Sequence, residues 1–277
     1  MEPTQEKTQQ KAMDFLPKDQ KDLAKSSYWK KFFEFDRFKE GFEWYASFED
    51  LRAYLLQHVK EKKGSKEPLR VIVPGCGNSD LSLKMCRDLG LQNIMVESVD
   101  YEEQVVKKMQ EDKPKDLPLN YLYGDCTNLK EQFKDGSFDV AVDKGTLDAI
   151  AVDDSEETVN TCWAYFNEMV RVLNNKDGVL IIVSLLQPHV LKILLDFFVK
   201  ENEKNLYRES NLFAVKVQRI EHIEGYAEKQ FIKYFVSVEK NFIDKTKPDM
   251  AQMRAKLQDS VGVRDRLADK EQFYSRE

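Results

Sequence analysis

The stretch Leu69 to Leu83, LRVIVPGCGNSDLSL, constrains this chain more than any other. A short apolar run (Leu69, Val71, Ile72, Val73) breaks at Pro74. Gly75 and Gly77 follow, then polar Asn78, Ser79 and Asp80, then a run of helical period. That succession predicts a buried strand, a tight glycine turn and a helix N-terminus. Glycine lets the backbone adopt positive φ and lets a ligand approach closely. The helix start offers unpaired N–H groups to a polar or anionic ligand. Such a unit opens a nucleotide-type α/β domain, and the residues before it read as a lid.

The rest of the chain continues the alternation. Helices are expected over Asp80 to Leu89, Tyr101 to Glu111, Glu156 to Leu173 and His189 to Lys200. Strands are expected over Asn93 to Val99, Leu119 to Tyr123, Phe138 to Asp143 and Val179 to Leu185. Two longer strands, near Phe213 to Ile220 and Gln230 to Val238, have only a turn around His222 to Glu228 between them, so they should pair as an antiparallel hairpin. The expected fold is α/β: a doubly wound, mostly parallel seven-stranded sheet with a C-terminal antiparallel hairpin and an N-terminal helical lid.

Domain limits follow composition. Residues 1–26 are polar and rich in Gln and Lys, and read as a flexible or loosely docked tail. Residues 27–66 form the helical lid, ending in the solvated linker KEKKGSK, and residues 67–240 form the core. Residues 241–277 read as a charged tail, with a short amphipathic helix after Pro248. The N-terminal MEPTQEKTQQK lacks the apolar core of a signal peptide, and no apolar run approaches a membrane span. The four cysteines (Cys76, Cys86, Cys126, Cys162) form no CxxC pair and have no His at ligand spacing, so a reducing compartment and no metal site are expected. A net charge of −6 disfavours nucleic acid as a direct partner and is compatible with a basic protein.

In an open parallel sheet, ligands bind at the carboxyl ends of the central strands. Four such ends carry informative residues. They are Gly75-Cys76-Gly77-Asn78, then Asp100, which lies 23 residues beyond Gly77, then Asp125-Cys126, and last Asp143-Lys144-Gly145-Thr146-Leu147-Asp148. Asp100 suits two ribose hydroxyls, and Asp125 with a backbone N–H suits an adenine edge. Singly, each has a plainer reading: a helix cap for Asp100, a turn residue for Asp125, a surface lysine for Lys144. In the lid, Trp29 and Phe33 share a helix face and GFEWY follows at Gly41 to Tyr45. From these residues alone, an aromatic helix packed on the sheet edge is preferred to an aromatic lid over a flat ligand. A dinucleotide fingerprint needs a third glycine, and Asp80 stands there. An acid repels pyrophosphate but tolerates the cationic S-adenosylmethionine (AdoMet).

The series VPGCGNSDLS, VDYEEQVV, GDCTNL and FDVAVDKGTLDAI resembles the class I, seven-strand AdoMet-dependent methyltransferases. With YWKKFF and FEWY before it, the chain resembles the family that methylates lysines and the N-terminus of translation elongation factor 1-alpha, from about Tyr28 to Lys240. The resemblance implies an AdoMet-dependent protein-lysine N-methyltransferase in the cytoplasm. It implies that Trp29, Phe33 and Trp44 line the cofactor from the lid. Gly75, with Gly77 in the same turn, would contact its methionine part. Asp100 would hold the ribose, Tyr101 would pack on the adenine, and Asp125 and Cys126 would read the adenine. Lys144 would face the methionine carboxylate.

Three features depart from the common methyltransferase pattern. Many methyltransferases carry an acid two residues before the first glycine, where this chain has Val73, a lack that the resembled family shares; Phe33 stands where a Tyr can occur; and Asn175-Lys176-Asp177-Gly178 replaces the usual Gly-Gly turn before the fifth strand. For catalysis, Asp143 and Asp148 are the nearest candidates to orient a target amine or take its proton, with capping of the next turn as the other reading of Asp148. A small-molecule methyltransferase, a protein N-terminal methyltransferase and a non-catalytic AdoMet-binding module are the alternatives. Oligomeric state is left open.

Overall fold

The computed structural model describes residues 17, 19–34, 41–59, 67–91, 93–207, 212–220 and 233–241. After a 3-10 turn at Gln20–Ala24 come α1 (Ser26–Glu34) and α2 (Phe48–His58). The core then runs β1 (Leu69–Pro74), α3 (Leu81–Asp88), β2 (Ile94–Asp100), α4 (Glu103–Asp112), β3 (Leu119–Tyr123) and β4 (Val140–Lys144). It continues with α5 (Thr146–Ile150), α6 (Glu156–Val172), β5 (Val179–Ser184), α7 (Pro188–Tyr207), β6 (Leu212–Arg219) and β7 (Tyr234–Asn241).

The seven strands form one sheet in the order β3-β2-β1-β4-β5-β7-β6. Pairing is parallel from β3 through β5 and antiparallel where β7 meets β5 and β6. The order reverses between β1 and β4, and the carboxyl ends beside that reversal are where such a sheet leaves a crevice. Val71 is central to the sheet, facing Val96 of β2 on one side and Val140 of β4 on the other.

Alternating side chains feed two cores, as a two-residue period requires. Val71, Val73, Val142 and Ile181 pack with Leu51 and Leu55 of α2 and Leu81 and Met85 of α3. Ile72, Ala141, Leu180 and Ile182 pack on the other face with Tyr165 and Phe166 of α6 and Phe197 and Phe198 of α7. Caps set the helix starts. Ser47 and Asp50 form a reciprocal box at α2, and the Ser155 hydroxyl accepts from Thr158 N at α6.

The expected elements are present with shifted limits. The fourth strand starts at Val140 rather than Phe138, because the Asp139 carboxylate, not a backbone carbonyl, accepts from Arg70 N at 2.8 Å. Helix α7 runs on to Tyr207 rather than ending at Lys200, and Asn202 on that extension pairs with both N and O of Phe213 at the start of β6. The last strand begins at Tyr234, which pairs with Arg219. Regular structure begins before residue 27, where the lid was expected to start. Lys21 pairs with Asp153 at 3.0 Å and Gln20 with Gln187 at 2.6 Å, so the 3-10 turn lies against the loops after α5 and β5. Residues 1–16, the linker 60–66, the hairpin turn 221–232 and the tail 242–277 lie outside the described residues. Among the described residues no helix is long and apolar enough to cross a membrane.

Candidate active site

The turn after β1 is built on left-handed backbone. Gly75 has φ +57° and Gly77 φ +51°. A Cβ on Gly75 would collide with Thr146 Oγ1, which donates to the Pro74 carbonyl at 2.9 Å. A Cβ on Gly77 would stand 3.2 Å from the Phe33 ring. The first turn of α5 and the lid therefore both close on this turn, and only glycine fits at residue 75. Gly75→Ala is expected to cost roughly 2–4 kcal/mol, combining left-handed strain with overpacking. Thermal melting of the variant checks it.

At the end of β2, Asp100 is buried. Its Oδ2 accepts from Gly77 N at 2.8 Å and its Oδ1 from Glu102 N at 2.9 Å. Burial pushes its carboxyl above the usual range, and the two backbone donors oppose that. The structure thus brings the second strand end onto the glycine turn. Tyr101, next in sequence, is 38% exposed on the rim. At the end of β3, Asp125 Oδ1 accepts from Thr127 N at 2.8 Å and from its hydroxyl at 2.7 Å, the turn role that was one of its two readings. Cys126 is buried, and burial raises its thiol pKa.

The two aspartates after β4 differ sharply. Asp143 is fully buried and saturated: it accepts from Tyr165 Oη at 2.7 Å, Thr146 N at 2.7 Å and Leu147 N at 3.0 Å. These bonds hold the β4–α5 turn together. Burial lifts its carboxyl to about 6 against the pull of those donors. Asp148 is 5% exposed and accepts from Ser184 Oγ at 3.0 Å through Oδ1, while its buried Oδ2 has no hydrogen-bond partner among the described residues. Burial first, and then the charge of Asp143, lift Asp148 to about 7. An orphaned buried carboxylate oxygen is costly unless a ligand completes it.

The lid is a cluster of rings. Trp29 stacks on Phe33 at 6.1 Å and meets Trp44 edge-on at 5.9 Å, and Phe32 stacks on Trp44 at 5.7 Å. Trp29 Nε1 donates to the Leu23 carbonyl at 2.6 Å. Tyr45 has φ +68°, and its ring lies 3.1 Å from where a Cβ of Gly145 would be. Burial and the charges of Asp148 and Asp143 raise its hydroxyl pKa. Lys144 is buried and reaches this lid: Nζ pairs with Glu43 Oε2 at 2.7 Å and donates to the Trp44 carbonyl at 3.1 Å. Glu43, Tyr45 and Tyr165 were not singled out by the sequence, and Ser79 and Thr146 stood in its motifs without a role of their own. The only local signal for Glu43 and Tyr45 was their place in FEWY, beside a tryptophan that was assigned. Among the described residues no group of three or more His, Cys, Asp or Glu could hold a metal ion.

With the crevice defined, similarity to known proteins decides its family. Residues 65–245 match the family described as "Methyltransferase domain". The chain belongs to that family. This methyltransferase is 38% identical over 191 residues to the Drosophila melanogaster "eEF1A lysine and N-terminal methyltransferase homolog", covering 69% of this chain and 26% of that protein. It is 37% identical over 190 residues to the Bos taurus "eEF1A lysine and N-terminal methyltransferase", covering 68% and 25%. It spans about a quarter of the length of these curated relatives. Among solved structures, the CurJ carbon methyltransferase is similar to it at a TM-score of 0.45 and 14% identity, over 80% of this chain and 57% of that chain.

The methyl donor is S-adenosylmethionine, and the residues present fit it. The turn at Gly75 and Gly77 leaves bare backbone where a Cβ would intrude, and a carboxylate stands beside it at the end of β2. No third glycine opens α3 to a pyrophosphate. Asp80 stands there, paired with Lys84 at 3.0 Å.

Proposed function

We propose that this methyltransferase is a protein-lysine N-methyltransferase acting on translation elongation factor 1-alpha in the cytoplasm. The observation that carries the amine acceptor is Asp148: a buried carboxylate with one unfilled acceptor oxygen, beside a lid tyrosine. The naming of the relatives for eEF1A supports the substrate, and their N-terminal activity makes a protein N-terminus the second reading.

In this reading Asp100 holds the ribose, Tyr101 packs on the adenine, Asp125 and Cys126 read its edge, and Trp29, Phe33 and Trp44 line the cofactor. Gly75 and Gly77 give its methionine part room, and Lys144 faces the methionine carboxylate. When bound, S-adenosylmethionine supplies a methyl group activated by its sulfonium. The chain's work is then alignment and proton removal. A lysine amine, with an unperturbed pKa of about 10.4, arrives protonated at neutral pH. Asp148 Oδ2 accepts a hydrogen bond from it and draws off the proton. Asp143 is excluded from that role by its three internal donors and instead positions the turn that carries Asp148.

The test is incubation of the chain with recombinant elongation factor 1-alpha and labelled AdoMet, followed by peptide mass spectrometry. Label on a lysine is expected, and label on the N-terminal residue alone selects the second reading. No label on the factor, with label on another protein of a cell extract, rejects this substrate.

A further inference from the structure

Glu43 joins parts of the site that the chain keeps far apart. Its Oε1 accepts from Asp80 N at 2.7 Å and from Ser79 Oγ at 2.9 Å, at the start of α3. Its Oε2 pairs with Lys144 Nζ at 2.7 Å, at the end of β4. The side chains of Lys144 and Glu43 are 4% and 27% exposed, so both charges are largely withdrawn from water. A cation and an anion therefore lie side by side where the glycine turn, the β4 end and the aromatic lid meet.

The methionine end of AdoMet is a zwitterion, an α-ammonium beside an α-carboxylate. Lys144 alone would offer this end only positive charge, which suits a plain carboxylate. Lys144 with Glu43 offers both signs, which suits an amino acid. Glu43 is the carboxylate paired with Lys144, the cation at the end of β4, whereas Asp100 accepts from Gly77 N and Glu102 N and Asp143 from Thr146 N, Leu147 N and Tyr165 Oη. We propose that Glu43, carried in by the lid, is the residue that reads the α-ammonium of S-adenosylmethionine and so selects the cofactor's amino-acid end. The Glu43–Lys144 pair makes that selection by opposing charges held in fixed order, and a ligand that keeps the α-carboxylate but lacks the α-ammonium brings like charge up to Glu43 with nothing to offset it. The inference rests on AdoMet as the methyl donor.

Calorimetry on the full chain tests it with three ligands: S-adenosylhomocysteine, its analogue lacking the α-amino group, and 5′-methylthioadenosine, which lacks the amino-acid end. The unaltered chain should prefer S-adenosylhomocysteine to the deaminated analogue by at least about tenfold, a difference of roughly 1.4 kcal/mol. Glu43→Gln should erase that preference and leave methylthioadenosine within about twofold, and Glu43→Asp should restore part of it. Equal loss of all three ligands in Glu43→Gln would make Glu43 a brace of the lid and overturn the inference. Tighter S-adenosylhomocysteine binding would also overturn it, since Glu43 would then compete with the cofactor's carboxylate for Lys144. Failure of the unaltered chain to bind S-adenosylhomocysteine would remove the donor itself, and the inference with it.

Discussion

Asp148→Asn is expected to slow methyl transfer about 100- to 1000-fold, the usual worth of a placed general base. The unaltered enzyme should show kcat/KM rising with pH to a plateau above about 7, as Asp148 ionises. The variant should lose that rise. A purely structural Asp148 would lower the rate without flattening the pH profile, so the profile decides between the two.

The same carboxylate leaves a mark on stability. Its folded-state pKa is raised to about 7, against an ordinary 3.8. Between those values the native state binds the extra proton, so stability falls as pH rises through that window. The contribution is fully present below about pH 4 and is lost above about pH 7. At full extent it is worth up to about 4 kcal/mol, from about 1.4 kcal/mol per pKa unit. Asp143, raised to about 6, adds a parallel loss over a lower range. Asp148→Asn should therefore melt with a shallower decline between pH 5 and pH 8 than the unaltered chain, as differential scanning fluorimetry across that range would show.

Asp100→Asn is expected to weaken S-adenosylhomocysteine binding about 100-fold. Two hydrogen bonds from ribose hydroxyls to a carboxylate contribute about 1.5 kcal/mol each, and an amide accepts only one such pair at lower strength. Asp100 also holds Gly77 N and Glu102 N, so the substitution disturbs the glycine turn as well. Calorimetry together with melting separates the two effects: binding should fall far more than the few degrees that one lost backbone bond removes from the melting temperature. Unchanged affinity would take Asp100 out of the cofactor site.

The alternation of elements was open to a reader of the sequence because buried strands need apolar runs, and glycine and proline punctuate them. Val179 to Ser184 and Leu119 to Tyr123 are such runs, and each forms a strand at or within a residue of the expected limits. The reversal of the last pair was also readable, since too little chain separates β6 from β7 for a crossover helix. Limits set by side chains were not. Asp139 replaces a backbone acceptor at the start of β4, and Asn202 ties α7 to β6. Neither residue announces such a role locally.

Within the site, the sequence by itself determined the strand ends: Gly75 and Gly77, Asp100, and the run from Asp143 to Asp148 had to fall at the carboxyl edge of a parallel sheet. It could not rank Asp143 against Asp148, two acids five positions apart in one motif. Tertiary structure separated them, because a carboxylate's partners and desolvation depend on what packs around it. Tyr165, from α6, fills the acceptor on Asp143 and leaves Asp148 open. Likewise, Lys144 was legible as a cation at a strand end, but its partner Glu43 lies about a hundred positions earlier, in the lid. Pairing across that distance is decided by how α1 and its aromatic cluster seat on the crevice, which no local pattern encodes.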